Sequence, residues 1–178
     1  MEIETERLIL RQIDPDRDFG PWAKAMADEN TVRYLGRAPM NPAEAWRSMA
    51  MVIGHWAIRG YGFFSLEHKQ TGAWIGRVGP WYPLGWPAPE VGWTISPDHL
   101  RQGYATEAAS AAVHYCFETL GWPQVIHVIM EGNEPSVAVA RKIGSTLVRE
   151  QQGVPGVTDK KVFIYGQTAT GAAAVLPA

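Results

Sequence analysis

Apolar and polar positions in the first half of the chain recur with two different periods. Residues 6–12, ERLILRQ, alternate as a strand does, whereas residues 14–28 and 41–60 show the three- and four-residue spacing of helices. Two more strand-like runs lie within residues 61–79 and are joined by a turn around 69–72. A strand, two helices and a hairpin are therefore predicted before residue 80.

The helix predicted over 41–60 has a clear start. Asn41 can cap it, Pro42 fits the first turn, and Glu44 completes a capping box. Its apolar residues are expected to form one buried stripe, which consists of Ala45, Trp46, Met49, Ile53, Trp56 and Ala57.

A loop rich in proline and tryptophan, residues 80–89, leads into the central unit of the chain. Residues 90–96, EVGWTIS, alternate and are predicted to form a strand that ends before Pro97. A helix closed by Gly121 follows, and then the unbroken apolar run 125–130, VIHVIM, which is typical of a strand covered on both faces. The apolar positions of this helix are Ala105, Ala108, Ala109, Ala112, Val113, Cys116, Phe117 and Leu120.

The last third predicts a short helix and a hairpin. Asn133 is the expected helix cap, with Pro135 in the first turn and Gly144 past the end, and residues 145–150 and 160–166 are expected to pair. Because a strand–helix–strand crossover joins parallel neighbours, the predicted fold class is a mixed α/β sheet with a central parallel pair. We assign residues 1–167 to one domain and residues 168–178 to a loose C-terminal tail.

Composition narrows the classes of function. Of 178 residues, 46% are hydrophobic and 19% are charged, which is the balance of a packed domain. A net charge of −2 gives no basic face for nucleic acid, and no apolar run is long enough to span a membrane. The single cysteine, Cys116, and the acidic start MEIETERLIL, which is unlike a signal peptide, lead us to expect a soluble cytoplasmic protein.

Residues 101–106, RQGYAT, form a turn at the mouth of the central helix. A helix N-terminus offers unpaired amides to an anion; Gly103 leaves it room, and Arg101 can add charge-assisted hydrogen bonds. A pyrophosphate suits this turn, although a glycine that merely permits a turn explains it too. A Walker loop is excluded, whereas Gly103, Ala105 and Ala108 approximate a dinucleotide-binding pattern and keep a nicotinamide-dependent oxidoreductase open.

Two segments in order, LRQGYATEA at 100–108 and GNEPSVAVARKIG at 132–144, resemble the motifs of the GNAT superfamily of acetyl-CoA-dependent N-acetyltransferases. The first is similar to the pyrophosphate motif and the second to its later Asn-x-x-Ser pair. The segments TERLILRQ and EVGWTISPDHLRQGYATEAA resemble the RimJ/RimL-like branch, and the similarity covers about residues 5–166. The chain departs from the family pattern at Leu100, usually Gln or Arg, and at Ala140, where many members carry tyrosine.

The resemblance implies acetyl-CoA as co-substrate and no metal. It also implies a mostly antiparallel sheet with helices on both faces, whose central parallel strands splay to hold the pantetheine arm. The residues implied in cofactor binding are Trp93, Thr94, Ile95, Arg101, Gln102, Gly103, Tyr104, Ala105, Thr106, Asn133, Ser136 and Lys142.

Two residues are candidates for the chemistry. Glu90, between Pro89 and Val91 and near several tryptophans, is expected to have a raised pKa and to act as a base, directly or through water. Orienting an ammonium group, or lying on the surface, are its alternatives. Ser136 is expected to donate a hydrogen bond to the departing thiolate, because Asn133 is the better cap; a capping serine is the alternative.

The expected activity is transfer of an acetyl group from acetyl-CoA to a primary amine of an unidentified acceptor, which is a protein N-terminus, a peptide or a small molecule. Direct attack is expected, since no activated nucleophile is visible. Trp81, Tyr82 and Trp86 are expected to form a wall of the acceptor pocket or a lid. A non-catalytic acyl-CoA-binding sensor, favoured by Ala140, stays open. The histidines lack metal-ligand spacing, and only the tryptophan content hints at a homodimer.

Overall fold

The computed structural model describes residues 1–155, 158–171, 174 and 176, which form eight strands, five α-helices and a short 3-10 helix at Pro97–His99. The strands are β1 (Glu2–Glu4), β2 (Leu8–Arg11), β3 (Phe64–His68), β4 (Trp74–Trp81), β5 (Glu90–Ile95), β6 (Gln124–Met130), β7 (Thr146–Val154) and β8 (Thr158–Thr168). The helices are α1 (Pro15–Ala27), α2 (Glu29–Arg33), α3 (Pro42–Arg59), α4 (Tyr104–Glu118) and α5 (Glu134–Lys142).

The strands form one sheet in the order β1-β2-β3-β4-β5-β6-β8-β7. Every pairing is antiparallel except that of β5 with β6, which the crossover through α4 makes parallel. This confirms the mixed α/β sheet with a central parallel pair. The predicted hairpin of β7 and β8 is also confirmed.

The parallel pair separates almost as soon as it forms. Glu90 opposite Ile126 is the pairing that holds β5 to β6 within the described residues, and the Ile126 amide donates to the Pro89 carbonyl at 2.9 Å. The other edge of β5 stays paired with β4 along its whole length. A gap therefore opens between β5 and β6.

Helices cover both faces of the sheet. One face packs against α1, α2 and α3, around Trp22, Met26 and Met49. The opposite face packs against α4, whose small residues Ala108 and Ala112 allow close approach to the strands, and against α5. The gap between β5 and β6 thus connects two differently covered sides.

A β-bulge in β4 changes which way its side chains point. Trp74 and Arg77 are three residues apart, yet both contact Trp22, with ring centroids 6.2 Å apart and the guanidinium carbon 4.9 Å from the ring centroid. Gly76 permits the bulge, because a Cβ at its position would lie 2.2 Å from the Thr94 carbonyl oxygen. A strict period of two would have placed Trp74 and Arg77 on opposite faces.

The start of α3 confirms its predicted capping box of Asn41 and Glu44. The predicted stripe is partly wrong: Trp46 is 59% exposed and Ala57 is exposed, while Val52 and His55 are buried instead. The physical reason is that α3 buries a narrow line through Ala45, Met49 and Val52. Trp46 follows Ala45 by about 100° around the helix and leaves that line.

Several element boundaries differ from the prediction. Pro80 and Trp81 belong to β4 instead of the loop, and α4 ends at Glu118, although the chain does turn at Gly121, where φ is 65°. The elements β1 and α2, with three and five residues, are not indicated by the sequence pattern because they are too short to show a period.

The assignment of residues 168–178 to a loose tail stays a prediction, since residues 172, 173, 175, 177 and 178 lie outside the described part of the chain. Thr168 still belongs to β8, and Ala174 is buried beside Gly166. None of the described helices combines the length and the apolarity that crossing a membrane requires.

Candidate active site

The N-terminus of α4 is open to an anion. Gly103 is its cap residue with φ 84°, and no side chain caps the helix. The amides of Tyr104, Ala105 and Thr106 therefore have no intrahelical acceptor, and no acceptor elsewhere in the described residues replaces it. These amides and the positive end of the helix dipole suit a phosphate or pyrophosphate.

Arg7, near the N-terminus of the chain, holds this turn in place. Its guanidinium donates to the Gln102 carbonyl at 2.9 Å and to the Glu107 carboxylate at 2.7 Å, and it lies 4.5 Å over the Tyr104 ring. A Cβ on Gly103 would approach the same guanidinium to 3.3 Å. Arg7 thus joins the first strands to the turn at the start of α4.

The edge of β5 offers backbone groups to the gap. The Ser96 amide donates to β4, whereas the Pro89 and Val91 carbonyls point toward β6, so odd-numbered residues face the gap. By this alternation the amide and carbonyl of Trp93 face the gap, and the Thr94 backbone faces β4.

Two side chains bridge the strands where they separate. Glu90 on β5 accepts from the Val128 amide of β6 at 3.1 Å, and His127 on β6 contacts the Val91 carbonyl of β5 at 2.6 Å through Nδ1. His127 is 1% exposed, and burial lowers its pKa to about 4, so it is neutral and donates from Nδ1. Its Nε2 then accepts from the Ser145 hydroxyl at 2.9 Å.

Ser136 lies on the α5 side of the gap. The Asn133 side chain accepts from the Ser136 amide at 3.3 Å and so caps α5. The Ser136 hydroxyl oxygen accepts from the Trp93 indole at 3.3 Å. Its own hydrogen is not needed for capping, and it can therefore be donated to a ligand.

Glu90 lies on the other side of β5, toward α1 to α3. It is 7% exposed, which rules out a surface carboxylate, and its second oxygen accepts from the Trp86 indole. Burial raises the pKa of Glu90 to about 7, and the bonds from Val128 and Trp86 and the charge of Arg77 only partly oppose it. Near neutral pH this carboxyl can both accept and release a proton.

Arg77, Phe63 and Gly92 form a continuous surface next to Glu90. The Phe63 ring would lie 3.0 Å from a Cβ on Gly92, and the Glu90 oxygen 3.6 Å from it. The Arg77 guanidinium lies 4.5 Å over the Phe63 ring, and its Nε donates to the Thr94 hydroxyl at 3.4 Å. An aromatic and cationic wall thus borders the carboxylate.

Residues 82–89 and the end of β4 are fixed by His55. The His55 ring stacks on Trp81 with centroids 4.4 Å apart, and its Nε2 accepts from the Tyr82 amide at 3.2 Å. Trp86, further along, bonds to Glu90. The tryptophan-rich segment therefore packs onto the face of the sheet that α1 to α3 cover.

The predicted site residues fall into three groups. Arg101, Gln102, Gly103, Tyr104, Ala105 and Thr106 meet at the mouth of α4; Trp93, Ile95, Asn133 and Ser136 border the gap; Glu90 and Thr94 lie on the opposite face. The Tyr104 side chain is buried, so only its backbone faces the mouth. Lys142 is exposed in the last turn of α5, and within the described part of the chain it makes no hydrogen bond or ion pair with the others.

Other chemical candidates are structural. Cys116, on the buried side of α4, belongs to the core as predicted, and burial raises the pKa of its thiol. Ala140 is fully buried between α5 and the sheet. Among the described residues, no group of three or more His, Cys, Asp or Glu side chains could hold a metal ion.

Sequence reasoning missed Arg7, Arg77 and His127. The sequence could have indicated Arg77 and His127, because each is a lone polar residue inside an apolar strand. A buried polar side chain needs hydrogen-bond partners from other parts of the fold. Arg7 lies in the segment TERLILRQ, but nothing in the sequence indicates its contact with α4, since its partner Glu107 is 100 residues away in the chain.

The chain is similar to known acetyltransferases. The sequence profile of the family described as "Acetyltransferase (GNAT) domain" matches residues 7–146. A relative described as "Uncharacterized N-acetyltransferase YoaA", from Bacillus subtilis (strain 168), is 32% identical over 145 residues, which cover 80% of this chain and 81% of the relative.

Solved structures share the fold. An acetyltransferase from Agrobacterium tumefaciens str. C58 superposes with a TM-score of 0.80 at 29% identity, over 93% of each chain. An acetyltransferase (GNAT family) from Bacillus anthracis reaches a TM-score of 0.81 at 22% identity, over 94% of this chain and 98% of the other.

Proposed function

Because the chain belongs to the acetyltransferase (GNAT) domain family, we propose that it transfers the acetyl group of acetyl-CoA to a primary amine. The family match favours this activity over the nicotinamide-dependent alternative. The observation that carries the proposal is Glu90, a buried carboxylate with a pKa of about 7 beside the strand gap. We further propose that the chain is part of the RimJ/RimL-like branch, which the segment TERLILRQ with Arg7 supports.

The co-substrate would lie along the three groups of residues described above. Its pyrophosphate fits the amides of 104–106 with Arg101 and Gln102, and its pantetheine arm fits the gap-facing backbone of Trp93 and Ile95. The thioester would then lie between Glu90 on one face of β5 and Ser136 on the other.

The reaction proceeds by direct attack. Glu90 removes one proton from the ammonium group of the acceptor, and the neutral nitrogen attacks the thioester carbonyl. The carbon–nitrogen bond forms, the carbon–sulfur bond breaks, and the sulfur leaves as a thiolate with a hydrogen bond from the Ser136 hydroxyl. The second amine proton passes to the sulfur, so the products are the amide and the CoA thiol, and Glu90 returns its proton to water.

The proposal is tested by measuring thiol release from acetyl-CoA with a panel of amines. Glu90→Gln keeps an oxygen for Val128 but cannot take a proton, so kcat is expected to fall by about 10²–10⁴. Acetyl-CoA affinity, measured by calorimetry, is expected to stay unchanged. Glu118→Gln is the matched control, because this exposed carboxylate at the end of α4 lies outside the site and should leave both values unaltered.

A non-catalytic acyl-CoA-binding module predicts a different result. Such a protein would bind acetyl-CoA but release no thiol with any amine, and Glu90→Gln would change nothing. That outcome would contradict the proposed acetyl transfer and support acyl-CoA binding without catalysis.

A further inference from the structure

The face of the sheet that α1 to α3 cover, where Glu90 lies, also carries the cation Arg77. Among the described residues, no carboxylate forms an ion pair with it. Arg77 projects from β4 between the Trp22 and Phe63 rings, and its guanidinium donates to the Thr94 hydroxyl. Within residues 1–155 and 158–171, no carboxylate oxygen lies within 4.0 Å of it. A mostly buried guanidinium with open N–H donors is a preorganised partner for an anion.

Glu90 does not act as the direct partner of Arg77. Its two oxygens accept from the Trp86 indole and the Val128 amide instead. Arg77 and Glu90 therefore stand side by side along the Phe63 and Gly92 surface, one able to bind an anion and the other able to take a proton.

The chain between α2 and α3, residues 34–41, adds positive charge on the same side of the sheet. Tyr34 and Trp86 both pack against the buried cluster that contains Ile126, and the Tyr34 hydroxyl donates to the Gly132 carbonyl at 3.0 Å, so the chain after α2 borders β6. Arg37 follows in this segment and lines two adjoining clefts of about 460 and 360 Å³.

The rim of these clefts is predominantly basic. Arg47 lines the first cleft, and Arg33 and Lys160 line the second, against one glutamate in each. Arg37 also lies near enough to Arg77 for its charge to lower the pKa of Arg77 after burial, the larger cause, has done so. Arg77 therefore experiences the positive charge of Arg37 as well as the negative charge of Glu90, and a bound anion would offset the repulsion between the two guanidinium groups.

From this arrangement we propose that the acceptor is an amine that also carries a carboxylate, which Arg77 binds with help from Arg37 while the amino group faces Glu90. This rests on the proposed acetyl transfer and makes Arg77 and Arg37 specificity-determining residues. The basic rim disfavours polyamines, whose additional cations would meet it. A free amino acid and a peptide N-terminus near an acidic side chain both present the required pair of groups.

The experiment compares acceptors that differ only in the carboxylate. Thiol release is measured for β-alanine against ethylamine and for phenylalanine against phenethylamine, with spermidine as a polycation. A second arm uses amidated peptides that differ by Asp or Asn at the second position, and so distinguishes a peptide source from a free amino acid. We expect kcat/KM to favour the carboxylate member of at least one pair by about tenfold or more.

Substitutions connect the preference to the residues. Arg77→Gln and, separately, Arg37→Gln should reduce the ratio within the preferred pair toward one, mainly through KM for the carboxylate member. Arg37 is exposed, so its variant keeps the test available if Arg77→Gln does not fold. Arg17→Gln is the matched control, because it removes one guanidinium from an exposed pair with Glu67 and should leave the ratio unchanged.

The outcomes separate the two proposals. If amines are acetylated but no pair shows a preference, or spermidine is the best acceptor, or the preference survives both arginine substitutions, the carboxylate site is wrong and acetyl transfer stands. If no amine is acetylated while acetyl-CoA binds, both proposals fail together.

Discussion

Glu90 shows how one residue acquires its chemistry from its neighbours. The sequence predicts a raised pKa from the apolar residues around it, and the structure gives a pKa of about 7 with burial as the main cause. The sequence did not predict the two groups that donate hydrogen bonds to Glu90. The Val128 amide belongs to another strand, and the Trp86 indole reaches Glu90 across a turn. Local composition predicts desolvation, whereas hydrogen-bond partners depend on the fold.

The pH dependence of activity follows from this carboxyl. Glu90 is a base only when it is ionised, so kcat/KM should fall about tenfold per pH unit below pH 7, where the raised pKa leaves it protonated. The amine acceptor titrates too, but it does so equally with wild type and with Glu90→Gln. The ratio of the two rates is therefore the measurement: it should be flat above about pH 8 and decline below 7. A ratio that does not vary from pH 5.5 to 9 would contradict the role of Glu90 as base.

At the scale of elements, the predictable features are those with local causes. The sequence predicted the helix caps Asn41 and Asn133 and the turn at Gly121, because the residues that form each of them are neighbours in the chain. The bulge in β4 was not, because it depends on the close approach of Gly76 to β5. The contact of Arg7 with the turn before α4 was not predictable either, because Arg7, which precedes β2, is far from Gln102 in the chain.

Arg7 should act on cofactor binding and not on chemistry. Arg7→Gln removes the bonds to Gln102 and Glu107 that hold the turn at the start of α4, the proposed pyrophosphate site. The Kd of acetyl-CoA is therefore expected to rise by about tenfold, a loss of about 1.4 kcal/mol. S-acetylpantetheine lacks the pyrophosphate, so its KM should not change. Calorimetry with CoA and rate measurements with both thioesters provide the readout, and Lys24→Gln, which breaks an exposed pair with Asp98, controls for charge.

An equal loss for both thioesters would show that Arg7 merely supports the fold. In that case the turn would be positioned by α4 itself. A fall in kcat at saturating acetyl-CoA would instead place Arg7 closer to the reaction than the geometry indicates.

At the scale of the whole molecule, the sheet consists of two parts that meet at β5 and β6. Strands β1 to β5 form one part and β6 to β8 the other. Among the described residues they are joined by one parallel pairing, which the Glu90 and His127 bridges supplement. The crossover rule predicted that β5 and β6 would be parallel neighbours, and the resemblance predicted that they splay. Which side chains replace the lost pairing could not be foreseen, because each bridge connects a side chain to the backbone of the opposite strand.

Because β5 separates from β6, the hydrogen exchange of alternate β5 amides is expected to depend on acetyl-CoA binding. The amides of Trp93 and Ile95 face the gap, whereas those of Gly92 and Thr94 face β4 and are protected by its pairing. In the protein without acetyl-CoA, hydrogen exchange should therefore be fast at 93 and 95 and slow at 92 and 94, although all four lie in the centre of the sheet.

Saturating acetyl-CoA should slow exchange at 93 and 95, together with residues 104–106, and leave β7 unaffected, as residue-resolved NMR exchange would show. Protection at 93 and 95 before the ligand is added would mean that the gap is closed in solution, and the pantetheine arm would then need another path. Because Gly92 and Thr94 belong to the same strand, a general stiffening of the protein would slow all four amides alike and so be told apart from occupation of the gap.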